Sequence, residues 1–546
     1  MDPNRRRLLL GLSAAGVAAG ALPLLRRAAP QAPAVSAAVP VPVDAPPAQR
    51  NAAEAFANAL RRPGAEGLLA EVDLSQSLTL TARVGAMTVF DGAPTELWYY
   101  AATINGRQVA NPLLRVRHGD EIDVSLRNQL SEDTTIHWHG LPVDEANDGS
   151  GLHPVRPGAS ARYRFRVTNR AGLYWYHAHP HGRTGVQLQR GLAGLLQVDD
   201  DEERALRDAL GLPWGERDLP LMLTDKQVDT TNAIVYREHE PDDWIGNRVL
   251  VNWTPDAYLD VLPGLYRLRL ANVANARMFR PAFVHNDREL PFFLIGTDGG
   301  LLRQPWPMES LFLAPAQRAD LLVDFSALPV GARVLLRSLD YVAMENEDES
   351  GAFAPDPMGD HPGAMRMGAA LDLMEFRVRA PARSIAAIAI PTALSAIAPP
   401  PDTRAWPVRK FRLRMDADGT WLINDWNFHR TGHAAAFAVK RGTCEVWEIR
   451  NHMTSMPHPI HLHGFQFRVV SRSISPTDIR ARQVAPGGLT PQDMGWSDTV
   501  VVWPGEIVRL ALDFSQPFRG TQNYMLHCHN LEHEDKGMMV TFAVTD

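Results

Sequence analysis

From about residue 70 onward the chain alternates apolar and polar positions in short runs. Examples are Leu78-Thr79-Leu80-Thr81, Glu121-Ile122-Asp123-Val124-Ser125-Leu126 and Tyr266-Arg267-Leu268-Arg269-Leu270. A period of two sends successive side chains to opposite faces, so each run predicts a strand with one buried face. Gly, Asn and Asp turns separate the runs at the spacing of a sandwich or barrel. The charged stretch from Asp201 to Leu210 predicts a helix between the first and second blocks of strands. The Pro-rich stretch 381–404 parts the second block from the third. The pattern also repeats. Val116-Arg-His-Gly-Asp-Glu-Ile-Asp-Val-Ser-Leu-Arg-Asn128 aligns without gaps on Val439-Lys-Arg-Gly-Thr-Cys-Glu-Val-Trp-Glu-Ile-Arg-Asn451, and the middle block keeps the strand motif from Gly264 to Asn272. Three related β domains are therefore expected, at 66–200, 212–380 and 405–546, the first preceded by an Ala/Pro-rich linker at 35–65 with one short helix, and the last two joined by a linker at 381–404.

The N-terminus follows a different pattern. Arg5, Arg6 and Arg7 precede an apolar run from Leu8 to Leu25, followed by small residues including Ala32-Pro33-Ala34. This predicts an export signal over 1–34. The order Asn-Arg-Arg-Arg-Leu-Leu resembles a twin-arginine signal, which would take the folded chain to the periplasm or another extracytoplasmic space. The alternative is an uncleaved anchor, since 18 residues are just enough to span a bilayer. The run is weakly hydrophobic and contains Pro23, which favours the signal. No association with a membrane is expected once the signal is removed.

Composition narrows the class. Of 546 residues, 45% are hydrophobic and 21% charged, which fits a soluble globular protein of several domains. A net charge of -7 without basic runs disfavours nucleic acid or anionic membrane as a partner. Only Cys444 and Cys528 are present, so no disulfide scaffold is built. Cys444, inside a predicted strand, is expected to be a buried structural thiol. Nineteen histidines are present, and ten fall in four tight clusters near the two ends of the chain.

Four His-x-His pairs stand in two matched sets. His137-Trp138-His139-Gly140 and His177-Ala178-His179 lie in the first block; His461-Leu462-His463-Gly464 and His527-Cys528-His529 lie in the third. On a strand each pair offers two imidazoles to one face. Eight imidazoles exceed the roughly four ligands of a tetrahedral zinc, but imidazole also suits copper, and a cluster of copper ions would use them all. Cys528 points away from both flanking histidines. With His458 upstream, His533 five residues on and Met538 five further, it completes the two-His, one-Cys, distant-Met set of a blue copper site. Through its bonded neighbours, that sulfur has a short covalent route into the histidine cluster. Ala178 holds the matching place in the first block, so no second blue site is expected there.

These motifs, with His458-Pro-Ile-His-Leu-His-Gly and His527-Cys-His-Asn-Leu-Glu-His-Glu-Asp-Lys-Gly-Met, resemble the copper motifs of three-domain multicopper oxidases, from about residue 70 to the C-terminus. The resemblance implies an all-β fold of three cupredoxin-like Greek-key sandwiches, with a trinuclear cluster where the first and third meet. It implies four copper ions. The type 1 ion takes His458, Cys528, His533 and axial Met538. The type 2 ion takes His137 and His461, and the type 3 pair takes His139, His177, His179, His463, His527 and His529. No ligand is missing, which argues against a silent structural cupredoxin protein. A copper nitrite reductase would lack the full histidine set.

The resemblance further implies a laccase-like oxidase that takes electrons from phenols or aromatic amines and reduces dioxygen to water. A cuprous oxidase acting on Cu(I) is the alternative. Water formation consumes protons, and Asp148 and Glu534 are the expected donors. The reductant, a small molecule or Cu(I), is expected at an exposed His458 or His533. Met344, Met358, Met365, Met367 and Met374 are candidate Cu(I) ligands, as is Met456 on an expected loop beside His458. The related cuprous oxidases tend to have an acid where this chain has Thr454, which favours organic substrates. A monomer is expected.

Overall fold

The computed structural model describes residues 55–237, 243–344, 363–382 and 388–546. The export segment, most of the first linker and Met358 lie outside these residues. The chain is all-β, as its alternating pattern predicts. The expected strands are Leu78–Met87, Glu121–Asn128 and Leu265–Asn272, and the charged stretch is the helix Asp201–Ala209. Among the described residues, no helix is long and apolar enough to cross a membrane.

Six sheets pair into three sandwiches. The first joins a six-stranded sheet around Glu121–Asn128 to a five-stranded sheet that ends in Gly172–His177 and His137–His139. The second joins a seven-stranded sheet around Leu265–Asn272 to a six-stranded one. The third joins the sheet of Cys444–Asn451 to the sheet that carries Gln522–Cys528, His458–Leu462 and Thr499–Val502. Each has its own apolar core, centred on residues such as Trp138 and Tyr176, Phe283 and Phe376, and Trp447 and Phe542. A further buried cluster joins Leu97 and Trp175 of the first sandwich, Met222 and Trp253 of the second and Leu531 of the third.

The repeat has a structural cause. The asparagine closing each copy of the motif ties down the loop beyond its strand. Asn128 donates to the carbonyls of Glu132 (2.8 Å) and Val155 (2.7 Å). Asn272 donates to Arg277 (2.8 Å) and Leu313 (2.9 Å), and Asn451 to Met456 (2.7 Å) and Val502 (2.9 Å). A buried amide that meets two carbonyls fixes where the next segment starts. In the first and third sandwiches that next segment carries histidines.

The linkers differ from expectation. Residues 58–59 form a strand beside Ala257 and Tyr258, and Leu60 enters the core of the second sandwich. In the second linker, Leu394 is buried against Leu301 and Leu322, and Ser395 accepts from Arg170 (2.8 Å). Both Pro-rich stretches hide apolar residues that a composition reading passes over. Cys444 begins its strand half-buried rather than buried.

Candidate metal centre

Strand register builds the histidine cluster. In the first sandwich His137 sits directly across from His177, and in the third His461 sits across from His527. Both cross-strand pairs have ring centroids 5.4 Å apart. The two sets then interleave. His137 stacks on His463 at 3.9 Å and His139 on His461 at 3.7 Å. His179 Nε2 and His463 Nε2 approach His527 Nε2 to 3.4 and 3.0 Å. All eight imidazoles predicted from the four pairs are buried together between the first and third sandwiches.

The outer nitrogens are tied down and the inner ones are not. Nδ1 donates to a main-chain carbonyl in His137 (Asp148, 2.8 Å), His177 (Ala178, 2.9 Å), His461 (Asp498, 2.8 Å) and His527 (Cys528, 3.0 Å). His137 Nε2, His177 Nε2 and His461 Nε2 have no protein partner, nor do His139 Nδ1 and both nitrogens of His529. Burying so many unpaired ring nitrogens is costly. Metal ions at these lone pairs remove the cost, and the tied outer nitrogens are the usual support of metal-ligating histidine. Burial also drives the imidazole pKa values down, to about 3 for His177 and about 4 for His179, so the rings are neutral and able to bind metal.

A second group lies inside the third sandwich. Cys528 Sγ is 3.4 Å from His458 Nδ1 and 3.5 Å from His533 Nδ1. Ser455 Oγ meets His458 Nε2 at 3.0 Å, and Asp243 Oδ1 lies 3.4 Å from His533 Nε2. Trp421 packs on both rings, with centroids 5.0 and 4.4 Å away. Met538 is buried in the same core, and its backbone is bound at both ends: its carbonyl accepts from Cys528 N (3.1 Å) and its N–H donates to His533 O (2.8 Å). Burial pushes the Cys528 thiol well above its usual range, so a thiolate here would need a bound cation beside it. Two imidazoles, a thiol and a thioether form a soft, copper-selective donor set.

Neither His458 nor His533 is exposed; both are 0% accessible. A reductant can approach only through what covers them. A small cavity lined by Asp243, Met278, Tyr341, Met367, Pro457 and Asn530 reaches His533 through Asp243. Met456 does lie on the loop leading into His458–Leu462, but it is 1% accessible, within the third core. Among the described residues, the middle-block methionines do not gather into one group either. Met344 and Met374 lie in two separate cores, and Met367 accepts a 3.5 Å contact from Tyr341 Oη. Thr454 is exposed, beside His452.

Both predicted acids are buried, and each touches histidine. Asp148 ends the four-residue helix Glu145–Asp148, capped by Asp144 and closed by Gly149 at φ 70°. Its Oδ2 accepts from His463 Nδ1 at 2.8 Å, and burial raises its pKa to about 8. A side chain at Gly149 would meet Ile136 O at 1.7 Å, so the turn needs glycine twice over. Glu534, in Leu531–Asp535, is no surface charge. Its oxygens lie 3.4 Å from His179 Nδ1 and 3.2 Å from His527 Nδ1, and it accepts from Thr184 Oγ1 at 2.7 Å. Burial opposes its ionisation, but the two imidazoles outweigh that and bring its pKa to about 2.

Several site residues carry no sequence signal of their own. Asp498 and Thr499, Ser455, Asp243, Thr184 and Trp421 come from strands and loops far apart in the chain. His181 could have been noticed, two residues past His179; it packs on Phe428 (4.2 Å) and His433 (5.1 Å).

Comparison with known proteins places these features in context. Two multicopper oxidase family profiles match residues 90–203 and 407–546, the segments that hold the two histidine sets. The chain is 32% identical to the bilirubin oxidase of Albifimbria verrucaria, over 80% of this chain and 71% of that one. It is 29% identical to a multicopper oxidase of Staphylococcus aureus, over 86% and 89%. Among solved structures, the McoA multicopper oxidase of Aquifex aeolicus shares 32% identity at a TM-score of 0.77, covering 89% of this chain and 100% of that one.

Proposed function

The chain belongs to the multicopper oxidases, and from that premise we propose that it is a laccase-like enzyme that oxidises phenols or aromatic amines and reduces dioxygen to water. Copper supplies the one-electron redox chemistry and the binding of oxygen. His458, Cys528, His533 and Met538 would hold the type 1 ion. His137 and His461 would hold the type 2 ion, and His139, His177, His179, His463, His527 and His529 the type 3 pair, four ions in all. A twin-arginine signal would export the folded chain, so that it works outside the cytoplasm as a monomer.

The observation that carries this reading is the position of Cys528. Its sulfur faces His458 and His533 (3.4 and 3.5 Å), while both of its chain neighbours belong to the eight-imidazole cluster. An electron entering at the sulfur therefore reaches the cluster through covalent bonds alone. Asp148 and Glu534 each touch cluster imidazoles: Asp148, whose pKa burial raises to about 8, is suited to hold a proton, and Glu534, kept ionised beside His179 and His527, to relay one toward the water being formed. The buried His533 would receive electrons through the cavity at Asp243, whose carboxylate suits a phenolic or anilinic hydrogen.

A second reading is a cuprous oxidase. It is favoured by Met278 and Met367, which line the same cavity beside Asp243 and are soft donors for Cu(I). Against it stand the burial of Met456 and the absence of an acid at Thr454. Oxygen uptake with a phenol and with Cu(I) tests both. We expect a blue protein that consumes oxygen with the phenol, and a Cys528→Ser variant that is folded, colourless and inactive. A copper-replete wild type without blue colour would sink the oxidase reading. Cu(I) turnover far above phenol turnover, and lost in Met367→Ala, would replace the organic substrate with Cu(I).

A further inference from the structure

The middle sandwich holds none of the proposed copper ligands, yet one of its side chains reaches the cluster. Arg318, on Arg318–Asp324, is 2% accessible by side chain and crosses to Asp498 of the third sandwich. Its guanidinium grips both carboxylate oxygens, Nη1 to Oδ1 at 2.9 Å and Nη2 to Oδ2 at 2.5 Å. The fork is itself anchored: Nη1 donates to Ala316 O (2.7 Å), Nη2 to Asp298 O (3.1 Å) and Nε to Leu173 O of the first sandwich (3.2 Å). Asp498 Oδ1 also accepts from Thr499 Oγ1 (3.0 Å), and it faces His139 Nε2 at 3.1 Å. Gly140 makes the approach possible, since a Cβ there would stand 2.2 Å from Asp498 Oδ2 and 3.1 Å from the Arg318 guanidinium.

This contact turns His139 the opposite way from its neighbours. His137, His177, His461 and His527 tie down Nδ1, whereas His139 ties down Nε2 and leaves Nδ1 without a protein partner. With Nε2 taken up by Asp498, Nδ1 is the His139 nitrogen left to share an ion with its neighbours, and His137, His139 and His177 can each offer a ligand atom within 4.8 Å of the others. A carboxylate held by an arginine fork offers acceptors only, so the ring nitrogen facing it must carry the proton. The main chain of Asp498 does the same for His461 through its carbonyl (2.8 Å).

We infer that Arg318 is a positioning residue of the copper cluster: through Asp498 it fixes the ring and tautomer of His139 so that Nδ1 is the metal-binding atom. This rests on the oxidase reading above and deepens it. The middle sandwich thus has a task at the cluster although it supplies no ligand.

Arg318→Lys keeps the charge but loses the fork. Outer partners of metal ligands typically control about 10- to 100-fold in metal affinity. We therefore expect Arg318→Lys to weaken copper retention at the cluster by about that factor, read as copper per chain during chelator titration. Its type 2 electron paramagnetic resonance signal should change while the blue absorbance per chain stays at the wild-type value. Arg267→Lys is the control, because Arg267 is an equally buried, carboxylate-paired arginine of the same sandwich, bound to Glu203 and Asp320. That variant should melt at a lower temperature with its copper content and both signals intact. If Arg318→Lys fails to fold, Asp498→Asn serves, with 15N histidine spectra of the copper-stripped chain reading the tautomer of His139. We expect an Nε2–H in wild type and a shift in the variant.

The inference is overturned if Arg318→Lys retains cluster copper and its signal like wild type, or if blue colour, cluster copper and melting temperature fall together. It is also overturned if His139 keeps the same tautomer in Asp498→Asn. A wild type that takes up copper only at the blue site would instead defeat the oxidase reading, so the two failures are distinguishable.

Discussion

At the residue scale, each group at the centre is defined by what holds its far side. His458 and His533 both turn Nδ1 toward Cys528 because Ser455 and Asp243 meet their outer nitrogens. Met538 is brought to the site by backbone bonds to Cys528 and His533 (3.1 and 2.8 Å). A weak thioether donor at that place stabilises Cu(II), so Met538→Leu should raise the redox potential of the blue site. A potentiometric titration that finds it unchanged or lower would remove Met538 from the ligand set. Asp148 and Glu534 touch cluster histidines only on their Nδ1 sides, so Asp148→Asn and Glu534→Gln should keep copper content and blue colour. Turnover in each should fall by about 100-fold or more, the usual scale of a lost proton donor. Loss of copper in step with activity would mark them as supports of the histidines instead.

Elements matter here through their register and their ends. A slip of one residue between Gly172–His177 and His137–His139 would carry every paired side chain to the other face and scatter the cluster. Three asparagines in the left-handed region, Asn111, Asn252 and Asn424 (φ 42°, 51° and 57°), accept from the backbone of a neighbouring strand in the three sandwiches in turn. They are a second threefold repeat, and the sequence conceals it because only a single residue recurs. The helix Asp201–Ala209 is fastened by Glu203, which is buried between Arg267 and Arg269. Burial opposes the charge of Glu203, but the two arginines prevail and bring its pKa from 4.5 to about 2. A depressed carboxylate contributes stability that is complete above the unfolded value and is lost as pH falls from about 4.5 toward 2. Glu203→Gln leaves two arginines short of an anion, and should cost about 3–5 kcal/mol at neutral pH. Its melting temperature should then lose less than wild type does on acidification through that window. An equal loss in both proteins would show that Glu203 does not govern acid stability.

On the scale of the whole molecule, the cluster exists only where the first and third sandwiches meet. Unpaired ring nitrogens there oppose closure of that interface, and copper reverses the effect. A ligand that binds only the folded state at 1,000 times its Kd stabilises by about 4 kcal/mol. Stripping copper with a chelator should therefore lower the melting temperature by several degrees, and added copper should restore it together with the blue colour. A copper-free protein that melts like the loaded one would mean the cluster is held together by protein contacts alone.

The sequence by itself determined the all-β class, the threefold motif and every member of the two histidine sets, because a period of two and an i, i+2 pair of imidazoles are local features of a strand. Cys528 was legible for the same reason: its neighbours along the chain define its chemistry. Tertiary structure alone decided what surrounds those residues. Asp498 reaches His139 across 359 positions of chain, and Asp243 reaches His533 across far more than any local motif spans. The burial of Met456, and of His458 and His533, follows from the packing of the third core and the covering loops, since an apolar side chain or an imidazole suits a rim or an interior equally well. Local periodicity chooses which atoms face inward. Only the docking of three sandwiches decides which of those atoms meet, and which nitrogen each ring has left to offer a metal.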